Sequence, residues 1–457
     1  MELVSINPAD ESVIFRHLAY DLDKVNSLIE NASKGFEINS SRSITKRSAI
    51  IKNLAELFRT QVNELAELAT LEMGKPIVQA RAEVLKCANA CEYFANKANQ
   101  FLQSESIEPS EVGASEAKFI YEPLGLILGI MPWNFPYWQV IRFAVPALCA
   151  GNAVLLKHAS NVSQISLKLE DLFRQAGFNS DEFISLLITS DQVKEVIKNP
   201  KIKGVSLTGS ETAGKEVGKQ AGNLIKPIVL ELGGSDPFIV TASADLRISV
   251  EMGLKARLQN NSQSCIAAKR FIIEKSIKDR YVEELINALS QIKVGDPLLE
   301  DTELGPLATK QVLQDSTMQL EDALKKGASL VFQGPEVPSK GYYFAPVILD
   351  NLSEQMDIYY QEVFAPIFQI YQAHNLEHAV SIANATSFGL GAACFTQNDS
   401  EINYCIKNID SGMVFINGIT TSYPQLPFGG VKNSGVGREL SYLGIRSFCN
   451  VKTVWIK

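Results

Sequence analysis

Apolar positions between residues 46 and 103 recur at three- and four-residue steps: Ile50, Leu54, Leu57, Phe58, Leu65 and Leu68 share one helical face. Gly74-Lys75-Pro76 interrupts the pattern, and a second helix is expected over Ile77–Phe101. Then the period shortens. Lys118-Phe119-Ile120-Tyr121 alternates like a strand, and Leu126-Ile127-Leu128 is an apolar run of the kind buried on both faces. From there strands are predicted over 153–156, 204–207, 228–230 and 237–240, with helices over 165–176 and 213–221 between them. After residue 240 the alternation restarts: helix 247–260, strand 271–273, helix 278–291, strand 368–371, helix 378–384. Alternation of this kind specifies an α/β protein with parallel sheets covered by helices. Two consecutive blocks place a seam near residue 234, and seams between domains favour clefts.

Composition narrows the class. At 457 residues, 46% hydrophobic and 21% charged, the chain holds enough apolar residues for large packed cores in two or three domains. The formal charge of −8 lacks the basic footprint of a nucleic-acid surface. The greasiest stretch, 124–131, is broken by glycine and too short to span a bilayer. Met1-Glu2-Leu3-Val4-Ser5 has no basic region followed by an apolar core, so no signal peptide is expected. The seven cysteines form no ladder and no C-x-x-C pair, which points to reduced thiols and a cytoplasmic protein. Cys87 and Cys91 share a helical face and are expected in the core. The four histidines are scattered, so no metal site is expected.

Several segments carry candidate chemistry. Cys265, in Asn260-Asn261-Ser262-Gln263-Ser264-Cys265, is a candidate nucleophile, because a thiol is partly ionised near neutral pH and attacks carbonyls readily. Glu231, in Leu230-Glu231-Leu232-Gly233-Gly234, is a candidate base for a water that would release the adduct. Thr208-Gly209-Ser210-Glu211-Thr212-Ala213-Gly214 joins a predicted strand to a helix, where glycines admit a pyrophosphate; an ordinary turn fits equally well. Asn134, between the prolines of Pro132-Trp133-Asn134-Phe135-Pro136, either donates to a developing oxyanion or caps a turn. Lys157 ends a buried strand, where it meets a ribose, a phosphate or only water. Glu362 and the run 427–435 have equally plain readings as a surface carboxylate and a glycine-rich loop.

The ordered set is another matter. Pro-Trp-Asn-Phe-Pro, Lys157, Thr-Gly-Ser-x4-Gly, Glu231-Leu-Gly-Gly, Gln-x-Cys265, Glu362-Val-Phe and Pro-Phe-Gly-Gly-x-Lys-x-Ser-Gly together resemble the aldehyde dehydrogenase superfamily, from about Asn7 to the C-terminus. Within it the likeness is to the shorter bacterial NAD(P)-dependent succinate-semialdehyde dehydrogenases. The resemblance implies an atypical Rossmann cofactor domain (1–103 and 124–233), an α/β catalytic domain (234–433) and a small β oligomerisation arm (104–123 and 434–457). It implies Cys265 as nucleophile, Glu231 as general base, and Asn134 with the Cys265 N–H as oxyanion hole. Lys157 and Glu362 would bind the two riboses, and Gly209, Ser210 and Gly214 would lie along the pyrophosphate. Trp133, Ser160 and Phe364 would also line the cofactor site. NADP is preferred to NAD, because Ser160 stands where glutamate often excludes a 2′-phosphate, and His158 would add positive charge at lower pH.

The substrate implied is an aldehyde with a distal carboxylate, held by Arg142 and Ser422; an ion pair to a neighbouring helix is the plainer reading of Arg142. An arginine common six residues before the nucleophile is Gln259 here. Ala267 replaces the second cysteine of some relatives, so no disulfide beside Cys265 is expected. Ser262 and Ala365 stand where glycines are usual, and Leu207 where phenylalanine is. A homodimer or homotetramer is implied, with no nucleic-acid or membrane partner. Competing readings are another short aldehyde or semialdehyde, a CoA-acylating enzyme, disfavoured by Glu231, and a non-catalytic scaffold on the same fold.

Overall fold

The helical stretch over 46–103 is three helices, Ile44–Thr60, Val62–Met73 and Ile77–Phe101. Gly74 ends the second at φ +77°, and a Cβ there would lie 2.8 Å from the Pro306 carbonyl oxygen. Glycine alone meets both conditions. The further break at Gln61 carries neither glycine nor proline, which is why periodicity alone misses it. A hairpin of strands Glu2–Ile6 and Val13–Leu18 and a helix Leu22–Ser41, none of them foreseen, precede this bundle. The computed structural model describes residues 1–457.

Five parallel strands make the first large sheet, in the order Ile228–Glu231, Ile202–Thr208, Leu126–Met131, Ala153–His158, Phe183–Ser185. Gly435–Val436 adds an antiparallel edge beside Ile228–Glu231. The chain runs outward from Leu126–Met131 to Phe183–Ser185, then returns to the other side of Leu126–Met131 with Ile202–Thr208. Strand order reverses between those two neighbours, so their carboxyl ends open a crevice. The segments leaving those ends are the Pro132–Pro136 loop and the Thr208–Gly214 turn.

A second sheet of seven strands runs in the order Ser329–Gln333, Val347–Asp350, Ile367–Ala373, Arg270–Glu274, Pro237–Val240, Gly391–Phe395, Met413–Ile416. All its pairs are parallel except the first. The largest buried cluster joins the bundle to helix Trp138–Ala150 and takes in Ile266, Leu390 and Phe428, so the seam between the two units is packed. A third, antiparallel sheet contains Glu105–Ile107, Glu116–Pro123 and Cys449–Ile456. Of residues 434–457 only this last strand lies in the third sheet; Gly435–Val436 belongs to the first sheet and helix Ser441–Arg446 packs on Trp138–Ala150. No helix is long and apolar enough to cross a membrane.

Candidate active site

Helix Leu246–Leu258 ends in a turn where Asn260, Asn261 and Ser262 have φ of +56°, +55° and +67°. Asparagine tolerates this left-handed conformation because its amide bonds locally. Asn261 Nδ2 donates to the Gly74 and Pro306 carbonyls at 2.7 and 2.9 Å, and its Oδ1 accepts from Gly305 N at 2.8 Å. Asn260 Nδ2 donates to the Asn134 carbonyl at 2.7 Å, and Asn134 Nδ2 donates to the Gln263 carbonyl at 3.0 Å. The turn therefore ties the loop of Asn134 to the loop of Cys265 across the seam.

Lys269, which sequence reasoning missed, completes the loop. Its fully buried ammonium donates to the carbonyls of Ser264 and Cys265 at 2.8 and 2.6 Å and stands 3.4 Å from Glu362 Oε1. With the carbonyls held, the Cys265 N–H is left without a carbonyl or side-chain acceptor. It and the second N–H of Asn134 are available to one developing oxyanion. The thiol itself departs from expectation. Burial pushes it up to about 12, against the pull of Arg142 and Lys269, so it is protonated at neutral pH rather than partly ionised. Ala267 is fully buried two residues on.

Glu231 ends strand Ile228–Glu231, its carboxyl buried and accepting no hydrogen bond on either oxygen. Burial, reinforced by Glu439, raises its pKa well above the carboxylate range, while Arg142 and Arg438 oppose the shift. A carboxyl so placed holds a proton more readily than an ordinary carboxylate and is suited to proton exchange. Gly429 makes room for it: a Cβ there would lie 2.6 Å from Glu231 Oε1.

The crevice of the first sheet holds the expected cofactor residues. Lys157, at the end of Ala153–His158, is 6% exposed, and no carboxylate pairs with it. The Ser160 hydroxyl, partly exposed at the start of the turn Ser160–Val162, is also without a partner in the chain. His158 does not supply the expected charge. Its ring is bound between the Met131 and Pro136 carbonyls at 3.2 and 2.9 Å, and burial holds its pKa down to about 4. Two of the expected pyrophosphate residues have other work. Ser210 Oγ caps helix Glu211–Asn223 by accepting from Ala213 N at 3.3 Å, and Gly214 lets that helix close on Leu232, whose side chain a Cβ would meet at 2.4 Å. Gly209, whose N–H donates to the Glu231 carbonyl at 3.0 Å, is not crowded. On the facing side, Glu362 Oε1 accepts from Gly234 N at 2.8 Å, and the rings of Trp133 and Phe364 meet edge-on at 6.2 Å.

Arg142 corrects an expectation. It is 2% exposed, ion-paired with Glu439, donating to Thr208 Oγ1 at 3.1 Å and lying 4.6 Å from the Phe428 ring centroid. Its guanidinium is committed within the protein, which is the ion-pair reading rather than a free carboxylate receptor. Ser422 is also buried, and its hydroxyl accepts from Lys86 Nζ at 2.6 Å. Lys86 sits 336 residues away in sequence and carried no motif that would have singled it out.

The sequence and the fold have close counterparts. A curated protein of Mycobacterium bovis BCG named succinate-semialdehyde dehydrogenase [NADP(+)] 1 is 46% identical over 456 residues, covering 100% of both chains. A Mycobacterium leprae protein named succinate-semialdehyde dehydrogenase [NADP(+)] is also 46% identical over 456 residues, again covering 100% of both. A crystal structure of succinic semialdehyde dehydrogenase from Streptococcus pyogenes, in complex with NADP+, superposes with a TM-score of 0.96 at 35% identity, over 99% of each chain. The sequence profile of the aldehyde dehydrogenase family matches residues 1–454. Profile, sheet order and the meeting of Asn134 with the Cys265 loop agree: this chain is a member of the aldehyde dehydrogenase family.

Proposed function

We propose that the chain oxidises succinate semialdehyde to succinate, with NADP+ preferred to NAD+. The observation that carries the chemistry is the Cys265 loop, tied to Asn134 and held by Lys269 so that its N–H is free. The Cys265 sulfur bonds to the aldehyde carbon as the C=O π pair moves onto the oxygen and the thiol proton passes to solvent water. The oxygen takes the negative charge and is held by Asn134 Nδ2–H and the Cys265 N–H. Lys157, Ser160 and Glu362 would hold the nicotinamide cofactor, which would supply the hydride acceptor, and Cys265 would then carry the acyl group as a thioester. Glu231 takes a proton from water, the water oxygen bonds to the acyl carbon, the C–S bond breaks, and the acid leaves. The raised pKa of Glu231 suits that exchange.

Unpaired Lys157 and the free Ser160 hydroxyl fit a 2′-phosphate at the crevice, with the N-terminus of helix Glu211–Asn223 toward the pyrophosphate. In this reading the first sheet binds the cofactor, the second carries the nucleophile, and the arm joins subunits. The arm's outer strand, Cys449–Ile456, is an unpaired edge bearing exposed Val451, Trp455 and Ile456, a surface suited to a second copy of the chain in a dimer or tetramer. Seven cysteines without a disulfide, five of them buried, fit a cytoplasmic enzyme. The test is a steady-state panel of succinate semialdehyde and butanal with NADP+ and NAD+, with and without CoA. Acid formation without CoA, at higher kcat/KM for the charged aldehyde and for NADP+, is expected. CoA-dependent turnover, or a preference for butanal, overturns the proposal.

A further inference from the structure

We propose that Lys86, with Ser422 and Trp138, is the receptor for the far carboxylate of the substrate. The proposal rests on the substrate being a semialdehyde that carries an acid. Lys86 lies on helix Ile77–Phe101, three residues after Glu83 and therefore on the same face. Glu83 anchors the oxyanion loop: its Oε1 accepts from Tyr137 N and Trp138 N, both at 2.9 Å. One helical face thus positions both the Asn134 loop and the Lys86 ammonium.

Charge accounting singles out Lys86. The charged groups that act on it are Glu83 on its own helix, Lys75 just before that helix, and Arg142 on helix Trp138–Ala150, with the Cys87 thiol beside it. Lys75 is neutralised by Glu83, and Arg142 by Glu439. Lys86 remains, a mostly buried cation with no carboxylate. Its neighbours are the Ser422 hydroxyl at 2.6 Å and the Trp138 ring, whose centroid is 4.2 Å away. The Trp138 indole N–H is buried and also lacks an acceptor. Ammonium and hydroxyl are donors a carboxylate accepts from, and a desolvated cation without its anion is costly to keep.

The position suits a substrate. A cleft of about 660 Å³ between helices Ile77–Phe101 and Leu246–Leu258 reaches Lys86 past Gln79, Ala82, Phe135 and Gln259. The rim acids Glu251, Glu300, Asp301 and Glu303 line the same cleft without pairing with Lys86. Asn260 and Phe135 line the same cleft, and Asn260 Nδ2 donates to the Asn134 carbonyl, so the cleft opens beside the loops of Asn134 and Cys265. Burial holds Lys86 down to about 8, so it is protonated at neutral pH and loses its charge as pH rises through that value.

The test compares the parent with Lys86→Met and Lys86→Arg, using succinate semialdehyde and butanal between pH 6.5 and about 9.5. Loss of the cation is expected to raise KM for succinate semialdehyde about tenfold or more while butanal changes less than about twofold. Lys86→Arg is expected to restore much of the loss. KM of the parent for the charged aldehyde rises above pH ~8, and that rise disappears in Lys86→Met. Succinate protects Cys265 of the parent from iodoacetamide and fails to protect Lys86→Met, which reads binding without turnover. A parent that prefers the charged aldehyde and a Lys86→Met that keeps the preference, or equal losses on both aldehydes, overturns the assignment of Lys86 alone. A parent without the preference overturns the substrate reading and this assignment together.

Discussion

Ser262 offers a test of how the loop ahead of the nucleophile is paid for. Its φ of +67° is one an L side chain adopts at a cost of about 1–2 kcal/mol. Its hydroxyl is buried and finds no partner, which adds about 1–3 kcal/mol. Ser262→Gly removes both penalties and gives back about 0.5–1 kcal/mol through the greater freedom of glycine in the unfolded chain. The balance is a gain of about 1–4.5 kcal/mol. Ser262→Ala removes only the hydroxyl and is expected to gain less. In a chain of 457 residues the unfolding entropy is large, so the gain raises Tm by only about 1–5 °C. Urea titration of both variants beside calorimetry gives the needed precision. A Ser262→Gly protein no more stable than the parent, or no more stable than Ser262→Ala, refutes the strain argument. Ala365, at the other lost glycine, has no positive φ, and its replacement carries no such penalty.

Three further outcomes are expected. Cys265→Ala abolishes turnover while NADP+ still binds, measured by fluorescence titration; turnover near the parent level removes the covalent mechanism. Glu231→Gln gives a burst of NADPH followed by near-zero turnover. Because the folded pKa of Glu231 is raised, its ionisation weakens folding as pH climbs from the ordinary carboxylate value through the raised one, so Glu231→Gln gains stability over the parent at pH 8 and not at pH 4, read by urea midpoints. Ser160→Glu lowers the kcat/KM ratio of NADP+ to NAD+ by about tenfold or more through repulsion of the 2′-phosphate; an unchanged ratio places cofactor choice elsewhere.

What the sequence discloses here is local. The break at Gly74, the alternation after residue 118 and the strand ends bearing Lys157 and Glu231 follow from period and turn chemistry, and the strands lie close to where that pattern sets them. What it hides is set by contacts between distant segments. Lys86 meets Ser422, and Arg142 meets Glu439, only after the C-terminal run folds back over helix Trp138–Ala150. Lys269 is one lysine among many until burial aims it at two carbonyls. Gly214 reads as a cofactor glycine by spacing, yet its observed constraint is the Leu232 side chain. Gly435–Val436 is invisible as a strand because two residues carry no period, and the sheet beside Glu231 defines it.

The shared face of Glu83 and Lys86 makes helix Ile77–Phe101 a ruler. One end of the measured length is fixed where Glu83 grips the backbone of Tyr137 and Trp138, and the other is marked by the ammonium. Its graduations are helical turns. Ala82 lies one turn back from Lys86 and lines the same cleft, about 6 Å along the axis. Moving the lysine to that mark carries the charge back along the axis, past the position of Glu83. On the Lys86 proposal, chain-length selection becomes a matter of where along one helix the positive charge is written.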